Sequence, residues 1–118
     1  MLKIKKGFRI KAIEIFKHKG RICVVLQMKG FGRISDYCNG YVETDPKNYG
    51  KSEDLFIDKI KTEELTYSGD LNGLFDGIWF LGFDSAHHRN EINPETKTFT
   101  FVKNKTKKLC EEMIKKGI

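Results

Sequence analysis

The residues best suited to chemistry lie together in one stretch, Gly82-Phe83-Asp84-Ser85-Ala86-His87-His88-Arg89-Asn90-Glu91. Asp84 is a carboxylate that accepts hydrogen bonds, and His87 is an imidazole that can donate or accept one. Arg89 presents a planar fork suited to phosphate or carboxylate. Two readings stand. Either these side chains form a ligand site at the mouth of a strand, or Asp84 and Ser85 fold an Asx-turn and the histidines decorate a loop. No complete catalytic signature is present. Ser85 lacks the Gly-x-Ser-x-Gly frame of a nucleophile elbow. His87 and His88 are adjacent, so their side chains diverge, and His18 is the only other histidine. Neither a zinc site nor a two-histidine phosphoesterase is spelled out. Asp76, Asp84 and Glu91 are carboxylates of the kind that bind magnesium, but nothing in their spacing fixes a geometry. No metal and no cofactor is expected.

The three cysteines, Cys23, Cys38 and Cys110, are odd in number and widely spaced, with no Cys-x-x-Cys pair. That excludes a zinc ribbon or thioredoxin-like centre and fits reduced, partly buried thiols. Cys38 is the one candidate nucleophile, because Asn39-Gly40 after it reads as a turn.

Positioning these groups needs a scaffold. Ile78-Trp79-Phe80-Leu81-Gly82-Phe83 is the most apolar run and predicts a central strand buried on both faces. Residues 8–29 predict an opening hairpin: Ile10, Ala12 and Phe16 on one face of its first strand, His18-Lys19-Gly20 as the turn, and Arg21 to Met28 as a buried strand. Tyr41 to Thr44 and Leu65 to Ser68 read as short strands, with loops at Asp45 to Gly50 and Leu71 to Gly77. Ser52 is placed to cap one or two helical turns through Ile57. Val102, Thr106, Leu109 and Met113, at steps of four, three and four, mark one face of a C-terminal helix over about 100–116, with Thr98 or Thr100 as its cap. Trp79, Leu81 and Phe83 are the expected partners of that face. The fold class is α+β, a single domain over 1–118. An antiparallel sheet of about five strands, its core at about 40–84, is crossed by one long helix.

At 118 residues the chain has room for one modest core. Its 12% aromatic content argues for packing over disorder. No run is long enough to span a bilayer, and Met1 to Lys6 lacks the apolar stretch of a signal peptide, so a cytoplasmic protein is expected. Net charge is +6, unevenly spread. Residues 1–33 carry ten Lys or Arg against one acid, residues 34–101 six against thirteen, and residues 102–118 six against two. Basic ends either lie over the acidic middle as ion pairs or present a face to an anion. Non-specific nucleic-acid binding is not favoured, since no dense basic block or arginine-rich arm occurs.

Gly40-Tyr41-Val42, Leu65-Thr66-Tyr67-Ser68-Gly69 and Gly82-Phe83-Asp84-Ser85-Ala86-His87 occur in this order before the amphipathic helix. In these elements the chain resembles a widespread group of small, uncharacterised phage and prophage proteins, over roughly residues 38–114. Those proteins carry Gly-Tyr-Val, Leu-Thr-Tyr-Ser/Ala-Gly and Gly-Phe-Asp-x-Ala-His elements. They often read His-Gly-Gly before Leu-Thr-Tyr where Thr62-Glu63-Glu64 stands here, so a role carried by that histidine does not transfer. The resemblance implies a phage origin and no particular reaction.

By association, such proteins in a host cytoplasm are counter-defence factors. The leading expectation is a binding protein that sequesters a nucleotide-like anion without turnover, with Tyr67, Ser68, Asp84, Ser85, His87 and Arg89 as ligand-binding residues. In that reading Tyr41, Tyr67 and Trp79 stack a base. The alternative is an inhibitor that binds a host defence protein, as anti-CRISPR proteins do. An enzyme acting on a phosphodiester or nucleotide stands third. Self-association is compatible with all three.

Overall fold

The computed structural model describes residues 9–118. The basic residues Lys3, Lys5 and Lys6, and Phe8 at the expected start of the hairpin, lie outside the described residues. Five strands form one antiparallel sheet: β1 (Ile10–His18), β2 (Arg21–Met28), β3 (Tyr37–Glu43), β4 (Tyr67–Gly69) and β5 (Phe80–Asp84). Their order in space is β1-β2-β3-β5-β4. A short helix, α1 (His88–Ile92), and the long α2 (Phe99–Lys115) follow. The architecture is α+β, with the long C-terminal helix packed on the sheet. None of the described helices is long and apolar enough to cross a membrane.

The hairpin forms where the sequence places it. Lys19 and Gly20 make its two-residue turn with φ of +53° and +81°, the sense that matches strand twist. The first strand departs from simple alternation. Ile10 pairs with Met28 but Ala12 pairs with Gln27, so one extra residue bulges out of β1. The bulge turns Ile10 to the same face as Ile13, away from the helix, while Phe16 packs on the helix side. Ile10 and Phe16 therefore do not share a face as their even spacing suggests.

The helix periodicity reads correctly. Val102, Thr106, Leu109 and Met113 are all fully buried, and the Thr98 hydroxyl caps the N-terminus by accepting from Phe101 N–H. They pack with Cys23 and Val25 of β2, Cys38 and Val42 of β3, and Leu81 and Phe83 of β5. Trp79 is not among the helix's partners. It precedes β5, donates to the Lys51 carbonyl at 2.8 Å and packs its ring against Tyr49 at 5.2 Å. The strand starts two residues later than its apolar run, at Phe80. Leu65, read as the start of a strand, lies in the core ahead of the three-residue β4. Ser52 caps a single 3-10 turn, Glu53–Leu55, and not a longer helix.

Asn39-Gly40 is not a turn. Both lie inside β3, the centre of the sheet. Gly40 is there because the helix crosses over it: a Cβ would stand 2.1 Å from Thr106 Oγ1 and 2.7 Å from the Phe83 ring. The opposite face of the sheet is covered in part by the segment 70–78, whose Leu71 and Leu74 pack on Val24, Leu26, Tyr41 and Phe80. Among the described residues nothing covers that face where the ends of β3 and β5 meet.

Candidate functional site

The open face is built by register. Across three strands Tyr41 pairs with Gly82, and Gly82 with Tyr67. Side chains on one face of directly paired residues stand about 5 Å apart, and the middle residue of this row has none. The Tyr41 and Tyr67 rings close over Gly82 edge to face at 5.2 Å; a Cβ on Gly82 would lie 2.4 Å from Tyr41 Cδ1. In the next row Asn39 of β3 pairs with Asp84 of β5. Above these rows lies a cavity of about 340 Å³, lined by Arg9, Phe31, Tyr37, Asn39, Tyr41, Thr66, Tyr67, Asp84 and Ala86, among others. Its size and its mixture of aromatic walls with a few polar groups fit a small-molecule site.

Each wall is fixed from behind. Arg9 lies 4.5 Å over the Phe31 ring and donates to Tyr37 Oη at 2.8 Å. Tyr67 Oη accepts from Leu71 N–H at 3.1 Å, tying the covering segment to the site. Tyr41 Oη accepts from Asn39 Nδ2 at 3.1 Å, which leaves Asn39 Oδ1 shielded from water with no donor. Burial raises the phenol pKa of Tyr37, Tyr41 and Tyr67 above the ordinary value, so all three rings are neutral at pH 7. Asp84 Oδ1 accepts from Ala86 N–H at 2.9 Å. The chain does make the Asx-turn that one reading foresees, and the turn presents the carboxylate to the cavity.

Of the residues singled out from sequence, Tyr41, Tyr67 and Asp84 meet at this cavity. His87 stands beside it, its Nε2 3.2 Å from Asp84 Oδ1 and 4.0 Å from Glu64 Oε1. That nitrogen is buried without an aligned hydrogen bond. Ser85 is turned away: its hydroxyl accepts from Cys38 N–H at 3.1 Å and donates to the Cys38 carbonyl at 2.7 Å, stitching β3 to the end of β5. Ser68 is turned away as well and donates to Glu53 Oε1 at 2.5 Å. Arg89 is exposed on α1, and Trp79 lies elsewhere. Cys38 is buried on the helix side, and burial pushes its thiol up to about 11, which leaves little thiolate to act as a nucleophile.

Arg9, Tyr37 and Asn39 escape a sequence reading. They reach the site from the residue just before β1, the start of β3 and a stretch that mimics a turn. Lys97 escapes it too. It is 5% exposed, ion-pairs with Glu91 and donates to Ser35 O at 2.9 Å and Ser35 Oγ at 2.7 Å. Glu91 also accepts from Ser35 N–H at 2.8 Å, and Lys97 holds the Glu91 carboxyl below its ordinary range. This knot pins the segment that delivers Tyr37. Among the described residues no group of three or more His, Cys, Asp or Glu is placed to hold a metal ion. No protein-family model, curated protein or solved structure matches the chain.

Proposed function

We propose that the chain is a binding protein that holds a nucleotide-like anionic ligand in the open-face cavity without turning it over. The observation that carries this reading is the lining itself: the side chains of Tyr37, Tyr41 and Tyr67 with one guanidinium, Arg9, and one carboxylate, Asp84. Base–aromatic stacking contributes about 1–3 kcal/mol per base, and Arg9 supplies the charge-assisted donors for a phosphate. This role belongs to Arg9 in place of Arg89. The nearby nucleophile candidates, Ser85 and Cys38, are occupied by backbone bonding or buried on the other face, which favours holding over chemistry. The resemblance to small phage proteins supplies the setting: a counter-defence protein that sequesters a small signal in the host cytoplasm.

Native mass spectrometry of the chain recovered from a cell extract tests this, with heat release of whatever it carries. The expected result is one intact nucleotide per chain, lost in Tyr67→Ala and Arg9→Ala and kept in Lys115→Ala on the far side. A stoichiometric protein partner with no small molecule would replace the reading with the inhibitor alternative. Conversion of an added nucleotide would replace it with an enzyme.

A further inference from the structure

We infer that the ligand carries at least two phosphates in a row, the second of them held beyond Arg9 in a neighbouring depression; this rests on the nucleotide reading above. The space for a ligand does not end at Arg9. A second depression of about 350 Å³ is lined by Arg9, Lys29, Gly30 and Phe31, and Arg9 and Phe31 line the tyrosine cavity too. The guanidinium, 4.5 Å over the Phe31 ring, therefore stands on the border between the two. A guanidinium has five N–H donors, so Arg9 can serve Tyr37 Oη, at 2.8 Å, and an anion together. Lys29 brings a second cation to the far side of that border.

Charge across the sheet sets the direction of the ligand. Arg9 immediately precedes β1 and Lys29 immediately follows β2, whereas Asp84 ends β5 and Glu64 lies ahead of β4. Strand β3 separates β2 from β5, which puts the cationic and the acidic side about 10 Å apart. On the acidic side His87 Nε2 stands 3.2 Å from Asp84 Oδ1 and 4.0 Å from Glu64 Oε1. The loop after β2 has a single carboxylate, Asp36, and it is engaged: it pairs with Lys11 at 2.5 Å and accepts from Gly30 N–H at 2.8 Å. Lys29 itself is exposed. An anionic tail is thus drawn away from Asp84, to Arg9 and on to Lys29. A single phosphate at Arg9 meets the guanidinium; a second one beyond it meets the ammonium as well, a point charge well suited to phosphate.

The test is calorimetric titration of the full chain with AMP, ADP, GMP and GDP in metal-free buffer at one ionic strength, repeated with Lys29→Ala and with Lys115→Ala on the far side. In the wild-type chain a diphosphate is expected to bind about fivefold tighter than its monophosphate, or more, the gain from one exposed cation contact. Lys29→Ala should remove most of that gain and leave the monophosphates nearly unchanged. Lys115→Ala should keep it, which separates a local contact from the general attraction of a basic chain for a more highly charged anion. The wild-type series needs no variant, so a misfolded Lys29→Ala leaves the inference open to refutation. A smaller wild-type gain overturns the second phosphate position and leaves the nucleotide reading in place. So does a gain that survives in a folded Lys29→Ala, or one that Lys115→Ala removes equally. Failure of all four nucleotides to bind at millimolar concentration overturns both.

Discussion

Gly40 and Gly82 occupy adjacent strands, β3 and β5, and open opposite faces of the sheet. At Gly40 the helix comes so close that a Cβ would stand 2.1 Å from Thr106 Oγ1; at Gly82 the missing side chain lets Tyr41 and Tyr67 meet. Both residues are invisible as packing residues in the sequence, where Gly40 after Asn39 carries the signature of a turn. Only the partner across the gap reveals what the glycine does. Gly40→Ala is expected to destabilise the fold by about 1–3 kcal/mol through overpacking, and Thr106→Ala should restore part of that loss by removing the nearest atom. Thermal melting of the two single variants and the double variant measures the coupling. Strictly additive effects would show that Thr106 is not what Gly40 makes room for. Asp84 and Tyr67 were legible because polar and aromatic residues at the ends of apolar runs stand out. Arg9, Asn39 and Lys97 were not, because a lone Arg, Asn or Lys carries no local signal of its distant partner.

At the scale of elements, α2 was readable because a helix repeats its face in its own sequence, whatever it packs on. Strands gave less. The bulge in β1 reverses which residues face the helix, and the start of β5 is set by its pairing with β3, not by its hydrophobicity. What latches α2 to the segment before β4 is Glu112. Its carboxylate accepts from Lys61 N–H at 2.8 Å, Thr62 N–H at 2.9 Å and the Thr62 hydroxyl at 2.7 Å, and it pairs with Lys116 at 2.7 Å. Burial opposes ionisation of this carboxyl, but those donors outweigh it and hold its pKa down to about 2, from an ordinary 4.5. A folded-state pKa below the unfolded one stabilises the fold fully above the unfolded value. That contribution is lost as pH falls from about 4.5 toward 2. Glu112→Gln should therefore cost on the order of 2 kcal/mol at pH 7, with the gap closing as the pH falls through this window. Urea midpoints across that range measure it. A gap of the same size at both ends would mean that the carboxylate's charge is not what holds the latch.

At the scale of the whole molecule, the described residues give the sheet a closed face and an open one. The closed face holds the helix and all three thiols. Cys23, Cys38 and Cys110 have no exposed surface, and the Cys110 thiol donates to the His18 carbonyl at 3.3 Å, tying α2 to the end of β1. A thiol reagent should react with none of them at the unfolded rate in buffer and with all three in denaturant; one fast thiol in buffer would show that the helix side opens readily. The basic ends partly pair with the acidic middle, as in Lys11–Asp36 and Lys105–Glu63. The open face holds the cavity, and the chain's tyrosines provide an internal control for it. Of the four, Tyr37, Tyr41 and Tyr67 line the cavity, and Tyr49 sits against Trp79 outside it. The most direct measurement is a titration with AMP and with GMP in which the ring resonances of all four tyrosines are followed by NMR. The expected result is saturable shifts at Tyr37, Tyr41 and Tyr67 with Tyr49 unmoved, abolished by Arg9→Ala. Shifts centred on Tyr49, or no saturable shift at the other three, would contradict the assignment of this face as the binding site.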